Sequence, residues 1–125
     1  MRNPTVPEHS STASERPALR LRVHIGESDH HGGQPLYTAI VHAARKAGLA
    51  GATVLKGIEG YGAHSVVHAA RVVDMSADLP ILVELIDSAE AIRGFLPALT
   101  AMVDDGLITL EDVRIAYRGD GKARS

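Results

Sequence analysis

Leu19, Leu21, Val23 and Ile25 alternate without interruption with Arg20, Arg22 and His24. A period of two puts the four apolar side chains on one side of an extended chain and the three polar ones on the other, so this segment predicts a strand with one buried face. Such a strand needs a cover for its apolar side, and the next segment supplies one. After a polar turn from Gly26 to Gln34, Pro35 suits the first turn of a helix. Leu36, Ile40, Ala43, Ala44 and Ala47 then recur at helical spacing. Arg45 and Lys46 fall in the last turn, where the helix dipole favours cations, and Gly48 is placed to end the helix.

The segment Gly51 to Gly62 reads as a second strand running into a loop. Gly60 and Gly62 flank Tyr61, and lacking a Cβ they permit positive φ and close approach of another group to the main chain; the same pattern also reads as a plain turn. Pro80 precedes Ile81 to Ile86, an apolar run broken only by Glu84, which predicts a central strand buried on much of both faces. Asp87 with Glu90 has the form of a capping box, and Ile92, Phe95, Leu96, Leu99, Met102 and Val103 line one helical face. Pro97 inside that pattern removes the hydrogen bond to Arg93 and predicts a kink or break, and Asp105-Gly106 ends the helix. Val113, Ile115 and Tyr117 alternate with Arg114, Ala116 and Arg118 as a last strand. The order β-α-β, linker, β-α-β predicts an α+β, ferredoxin-like βαββαβ sandwich, a four-stranded antiparallel sheet with two helices on one face. The other face would carry Arg20, Arg22, His24, Glu84, Arg114 and Arg118, either solvated or used for assembly.

At 125 residues the chain fits one domain. Residues 1–17 and 119–125 offer no periodic apolar pattern and read as flexible arms around a folded unit of residues 18–118. The proline- and serine-containing first segment has no apolar stretch suited to a signal peptide or anchor. A formal charge of −2, three Tyr, one Phe and no Trp argue against nucleic acid as a partner. The absence of cysteine excludes disulfides and thiolate chemistry and agrees with a reducing, cytoplasmic setting.

Six segments taken together resemble the PII-like family known as domain of unknown function 190. They are Leu21 to Glu27, Pro35-Leu36-Tyr37, Gly48 to Val54, Gly57 to Gly62, Asp78-Leu79-Pro80 and Phe95-Leu96-Pro97. The resemblance implies a ferredoxin-like fold assembling as a homotrimer, with no enzymatic activity and no bound cofactor. PII proteins proper bind adenine nucleotides in clefts between subunits, so a small effector is implied here, with nucleotides among the candidates. Thr53 and Gly60-Tyr61-Gly62 match two of the nucleotide segments of those proteins. At the third, Asp105-Gly106-Leu107 keeps Gly106 but has Leu107 where a phosphate-contacting lysine is expected. The implied ligand-binding set is therefore Thr53, Gly60, Tyr61, Gly62 and Gly106. Ala63 to Leu79 occupies the position of the PII signalling loop, and is apolar enough that part of it is expected to pair as strand or pack on a neighbour. Family members often occur near genes for fluoride channels or other ion transporters, which implies a membrane transporter or channel as partner.

Seven histidines raise a different possibility, a small metal-dependent or acid-base enzyme built on Asp29, His30 and His31, with His64 and His68 sharing a face if that segment were helical. Adjacent histidines on a regular element point apart, so one ion could take both only from an irregular loop. Polar turns with unligated histidines are the alternative, and no metal site is expected. Ser65 beside His64 lacks the strand-turn-helix setting of a catalytic serine. Glu84, in its apolar run, is expected to pair with an arginine on a neighbouring strand.

Overall fold

A computed structural model describes residues 15–62 and 78–119. The chain enters as β1 (Arg16–Gly26) and forms a small hairpin of β2 (His30–His31) and β3 (Gln34–Pro35). It continues as α1 (Leu36–Lys46), β4 (Ala52–Lys56), β5 (Pro80–Asp87), α2 (Ala89–Met102) and β6 (Leu107–Ile115). The main sheet has the order β4-β5-β1-β6 with every neighbouring pair antiparallel. Apart from the hairpin this is the ferredoxin-like βαββαβ arrangement.

The core lies between the sheet and the two described helices. Leu21 and Val23 of β1, Val83 and Leu85 of β5, Ile40 of α1, and Ile92 and Leu99 of α2 are the largest fully buried side chains among the described residues. On α1 the buried residues are Leu36, Ala39, Ile40 and Ala44, one stripe at helical spacing. Gly48 then takes φ +88°, Gly48 N donates to Arg45 O and Leu49 N to Ala44 O, both at 3.0 Å. That pair of bonds is the Schellman arrangement, which turns the chain sharply toward β4 and buries Leu49.

Several local expectations are corrected. Pro35 is the N-cap of α1 and not part of its first turn, and Ala47 is an exposed C-cap. The turn after β1 contains the β2–β3 hairpin, whose Gly32 and Gly33 have φ +61° and +82°, as a tight two-residue connection requires. The strand β1 starts at Arg16, so Arg16 and Pro17 are paired with Ile115 and Arg114 rather than lying in a free arm. In β5 only one face is buried, by Ile81, Val83 and Leu85, whereas Leu82 and Glu84 are half-buried and Ile86 is exposed. The helices cover one side of the sheet, so even an inner strand keeps one open face.

Ser88, not Asp87, caps α2, its Oγ accepting from Ala91 N at 3.1 Å. Asp87 instead accepts from Ala50 N at 2.9 Å and Ser88 N at 2.7 Å. Helix α2 continues unbroken through Pro97 to Met102, and Val103 leaves it in an extended conformation before Asp105-Gly106. Arg93 and Pro97 are both exposed, so the carbonyl that loses its donor lies on the water side. The last strand ends at Ile115. Its register sets Val113 opposite Ala18 and Glu111 opposite Arg20, which puts Glu111 and Val113 on the open face and Arg114 on the other. Arg114 pairs with Glu15 at 3.0 Å, and Arg118 lies beyond the strand. The expectation that both arginines share the open face does not hold. The linker expectation for Ala63 to Leu79 falls, up to residue 77, outside the described residues.

Leu99→Ala should lower unfolding stability by about 3 kcal/mol, because Leu99 is fully buried against the sheet and the vacated space cannot fully collapse. Tyr117→Ala, at an 86% exposed position, should stay within about 0.5 kcal/mol of the parent in the same urea titration.

Candidate ligand cleft

At one end of the sheet the last residues of β1, the first of β5 and β6, and the loop after β4 surround a cleft of about 540 Å³. Gly60, Tyr61, Gly62 and Gly106 all line it, together with Leu107. Thr53 does not. It sits on β4 opposite Glu84 and lines a wider groove of about 850 Å³ at the other end of the sheet, with Arg20, Asp87, Arg114, Tyr117 and Arg118. One chain therefore gathers four of the five expected residues and leaves the fifth at the opposite end of the open face.

The loop after β4 is laid over Pro80. Gly57 N donates to Pro80 O at 2.7 Å, and a Cβ on Gly57 would fall 2.7 Å from the proline ring. A Cβ on Gly60 would meet the same ring at 3.1 Å, and Gly60 also has φ +156°. These two glycines let the loop lie flat on Pro80, and Tyr61 follows at 70% exposure beside the cleft. Gly106 has a packing reason of its own: a Cβ there would come 2.8 Å from His24 O and 3.0 Å from side-chain atoms of Ile25 and Val103. The glycine brings the start of β6 tight against the end of β1.

Gly26, Asp29 and Asp78 also line this cleft and are not among the residues expected there, whereas Asp105 lines it as part of the expected Asp105-Gly106-Leu107 segment. Sequence reasoning singles out Asp29 only for metal chemistry, and Asp78-Leu79-Pro80 only as a shared segment. In the structure Asp29 Oδ2 accepts from Gly26 N at 2.9 Å and Asp78 Oδ1 from Ser28 N at 2.7 Å, so both carboxylates brace the turn after β1. Three carboxylates and His24 line the cleft, with no lysine or arginine among its described lining residues. Lys56 is held by Glu27 at 2.7 Å. The opposite groove is the more basic of the two.

His30 and His31 occupy the exposed two-residue strand β2, and His30 Nδ1 lies 2.6 Å from Ser28 O. Neighbours on a strand point to opposite sides, and among the described residues no group of three or more His, Asp or Glu side chains is arranged to hold a metal ion. His64 and His68 lie outside the described residues. On the open face Arg22 Nε donates to Glu84 at 3.0 Å, the cross-strand pairing expected for Glu84. Arg20 pairs likewise with Glu111, its Nε at 3.1 Å. The hydrogen bond from Arg20, reinforced by its charge, holds the Glu111 carboxyl below its ordinary value of 4.5, and the same bond raises Arg20. No described helix is long and apolar enough to cross a membrane.

The fold is a ferredoxin-like α+β sandwich with a cleft at one end of its open sheet face. A family model described as "Uncharacterized ACR" matches residues 18–115, and the chain belongs to that family, DUF190. A UPF0166 protein of Aquifex aeolicus is 37% identical over 97 residues, covering 78% of this chain and 91% of its own. A UPF0166 protein of Methanocaldococcus jannaschii is 34% identical, covering 80% and 92%. Among solved structures, a putative PII-like signalling protein of Thermus thermophilus superposes with a TM-score of 0.58 at 19% identity, covering 82% of this chain and 92% of its own. CPII of Thiomonas intermedia, bound to ADP, AMP and acetate, gives 0.51 at 17% identity, covering 81% and 90%. At these identities the two structures bear on the fold.

Gly106→Ala should cost about 1–3 kcal/mol by urea unfolding, because the added methyl meets a backbone carbonyl. Glu111, with its folded pKa depressed, contributes stability that is present above its ordinary pKa and lost as pH falls through the folded value. Glu111→Gln should therefore unfold at lower urea than the parent at pH 7. The gap should close as the pH is taken below 4.5.

Proposed function

We propose that this chain is a non-catalytic, PII-like regulatory protein that acts as a homotrimer in the cytoplasm. It binds a small effector at clefts between subunits and controls a partner such as a membrane transporter or channel. The observation that carries the reading is the separation of the expected site into two halves. Gly60, Tyr61, Gly62 and Gly106 line the cleft at one end of the open sheet face, and Thr53 lines the groove at the other. A site using both halves needs a second copy of the chain.

Charge supports the same arrangement. A cleft lined by Asp29, Asp78 and Asp105 is a poor host for a phosphate group by itself. The groove that holds Thr53 also carries Arg20 and Arg118 beside Glu84 and Asp87, so a neighbouring copy brings guanidinium groups as well as the threonine. CPII, with the same fold, was solved with ADP and bicarbonate and with ADP, AMP and acetate, which makes adenine nucleotides and small carboxylates the first compounds to try. The open sheet face suits self-association, since exposed Leu55, Ile86 and Leu107 flank the arginine–glutamate pairs.

Light scattering at micromolar concentration should give three times the chain mass of 13.2 kDa, and a monomeric mass would remove both the assembly and the shared cleft. Calorimetric titration with ADP, AMP and bicarbonate should show saturable binding without turnover. Gly62→Val should abolish that binding with little change in trimer mass or circular dichroism, because a β-branched side chain blocks approach to the main chain. A folded variant that binds as tightly as the parent would put the effector elsewhere.

A further inference from the structure

The turn after β1 and the entry to β5 meet at one carboxylate. Asp78 Oδ1 accepts from Ser28 N at 2.7 Å, and Leu79 O accepts from Glu27 N at 2.8 Å. Two successive amides of the turn are thus held by the two residues leading into β5. The seat for the carboxylate exists because residue 26 has no side chain. A Cβ on Gly26 would fall 2.7 Å from Asp78 Oδ1 and 2.8 Å from its Cγ, with Oδ2 nearer still. Gly26 does not have a positive φ, so the glycine is required for space and not for conformation. From the inner side Asp29 Oδ2 accepts from Gly26 N at 2.9 Å, and Asp29 O accepts from Leu36 N at 2.7 Å, which ties the turn to the start of α1.

We propose that Asp78 is a positioning residue for the cleft: its carboxylate fills the side-chain space of Gly26 and holds Ser28 N–H, making the turn 26–29 and the entry to β5 a single wall. Its effect on ligand affinity rests on the effector reading above. Charge and position predict different outcomes at this residue. As a bare charge, Asp78 repels an anionic ligand, so Asn and Ala would both tighten ADP binding. As a clasp, Asn retains an oxygen for Ser28 N and preserves the wall, whereas Ala loses it.

The test uses the parent, Asp78→Asn, Asp78→Ala, Gly26→Ala and the double variant Gly26→Ala/Asp78→Ala, each followed by amide hydrogen exchange and titrated with ADP. Protection of the Ser28 amide should persist in Asp78→Asn and fall about tenfold or more in Asp78→Ala and Gly26→Ala, the loss expected for a charge-assisted bond. The double variant should lose no more than either single one, because both break the same contact. Amides of Leu21 and Val83 in the core should exchange as in the parent, which marks the loss as local. ADP affinity should drop by a common factor in Asp78→Ala and Gly26→Ala, and stay at or above the parental level in Asp78→Asn. Unchanged Ser28 protection in Asp78→Ala, additive losses in the double variant, or equal tightening of ADP by Asn and Ala would each overturn the clasp. If the parent does not bind ADP, the nucleotide reading is lost, and the clasp stands or falls on the exchange cycle alone.

Discussion

Everything in this fold is referred to β1, which is hydrogen-bonded along both sides, to β5 from Leu19 to Gly26 and to β6 from Arg16 to His24. Leu21 and Val23 are fully buried beneath the helices, while Arg20 and Arg22 alternate with them on the opposite face. A slip of one residue would drive both guanidinium groups into the core, at a cost far beyond the stability of a domain of this size. The register is therefore fixed from the inside. It also fixes where the two concave surfaces fall: the cleft lies where β1 ends at Gly26, and the basic groove lies toward its beginning.

The open face is not a uniformly wet surface. Arg20 and Arg22 are matched across strands by Glu111 and Glu84, so the charges on the middle strand are satisfied within the sheet itself. Leu55, Ile86 and Leu107 lie around them and are exposed. Covering an ion pair that already exists costs less than covering separate charges, since each partner keeps its counter-charge when water leaves. The face thus combines exposed apolar area with internally neutralised charge.

Much of this was legible in the sequence because periodicity reports burial directly. The alternation in β1, the stripe on α1 and the apolar face of α2 each have a single geometric solution. Where the reading failed, a tertiary partner had decided the matter. Asp87 looks like a helix cap but is taken by Ala50 N, leaving the cap to Ser88. The run Ile81 to Ile86 looks buried on both faces, but the described helices cover only one. The alternation holds only as far as Ile115, where the strand ends, and its meaning is reversed, because the register turns Val113 to the open face. At the cleft, the glycine loop was visible as a motif. Asp29 and Asp78 were not, since they are brought to Asp105 only by the meeting of three strand ends.

The β2–β3 hairpin stands apart from this economy. At its tip a Cβ built on Gly32 or Gly33 would find no atom of the described residues within 4 Å, its own chain neighbours aside. Its base is another matter, because Asp29, which precedes it, binds both Gly26 N and Leu36 N. An inserted peptide or fluorophore at the tip would leave the sheet and core alone while remaining mechanically joined, through three residues, to the wall of the cleft. The fold thus carries its own attachment point for a reporter, open at one end among the described residues and anchored beside the cleft at the other.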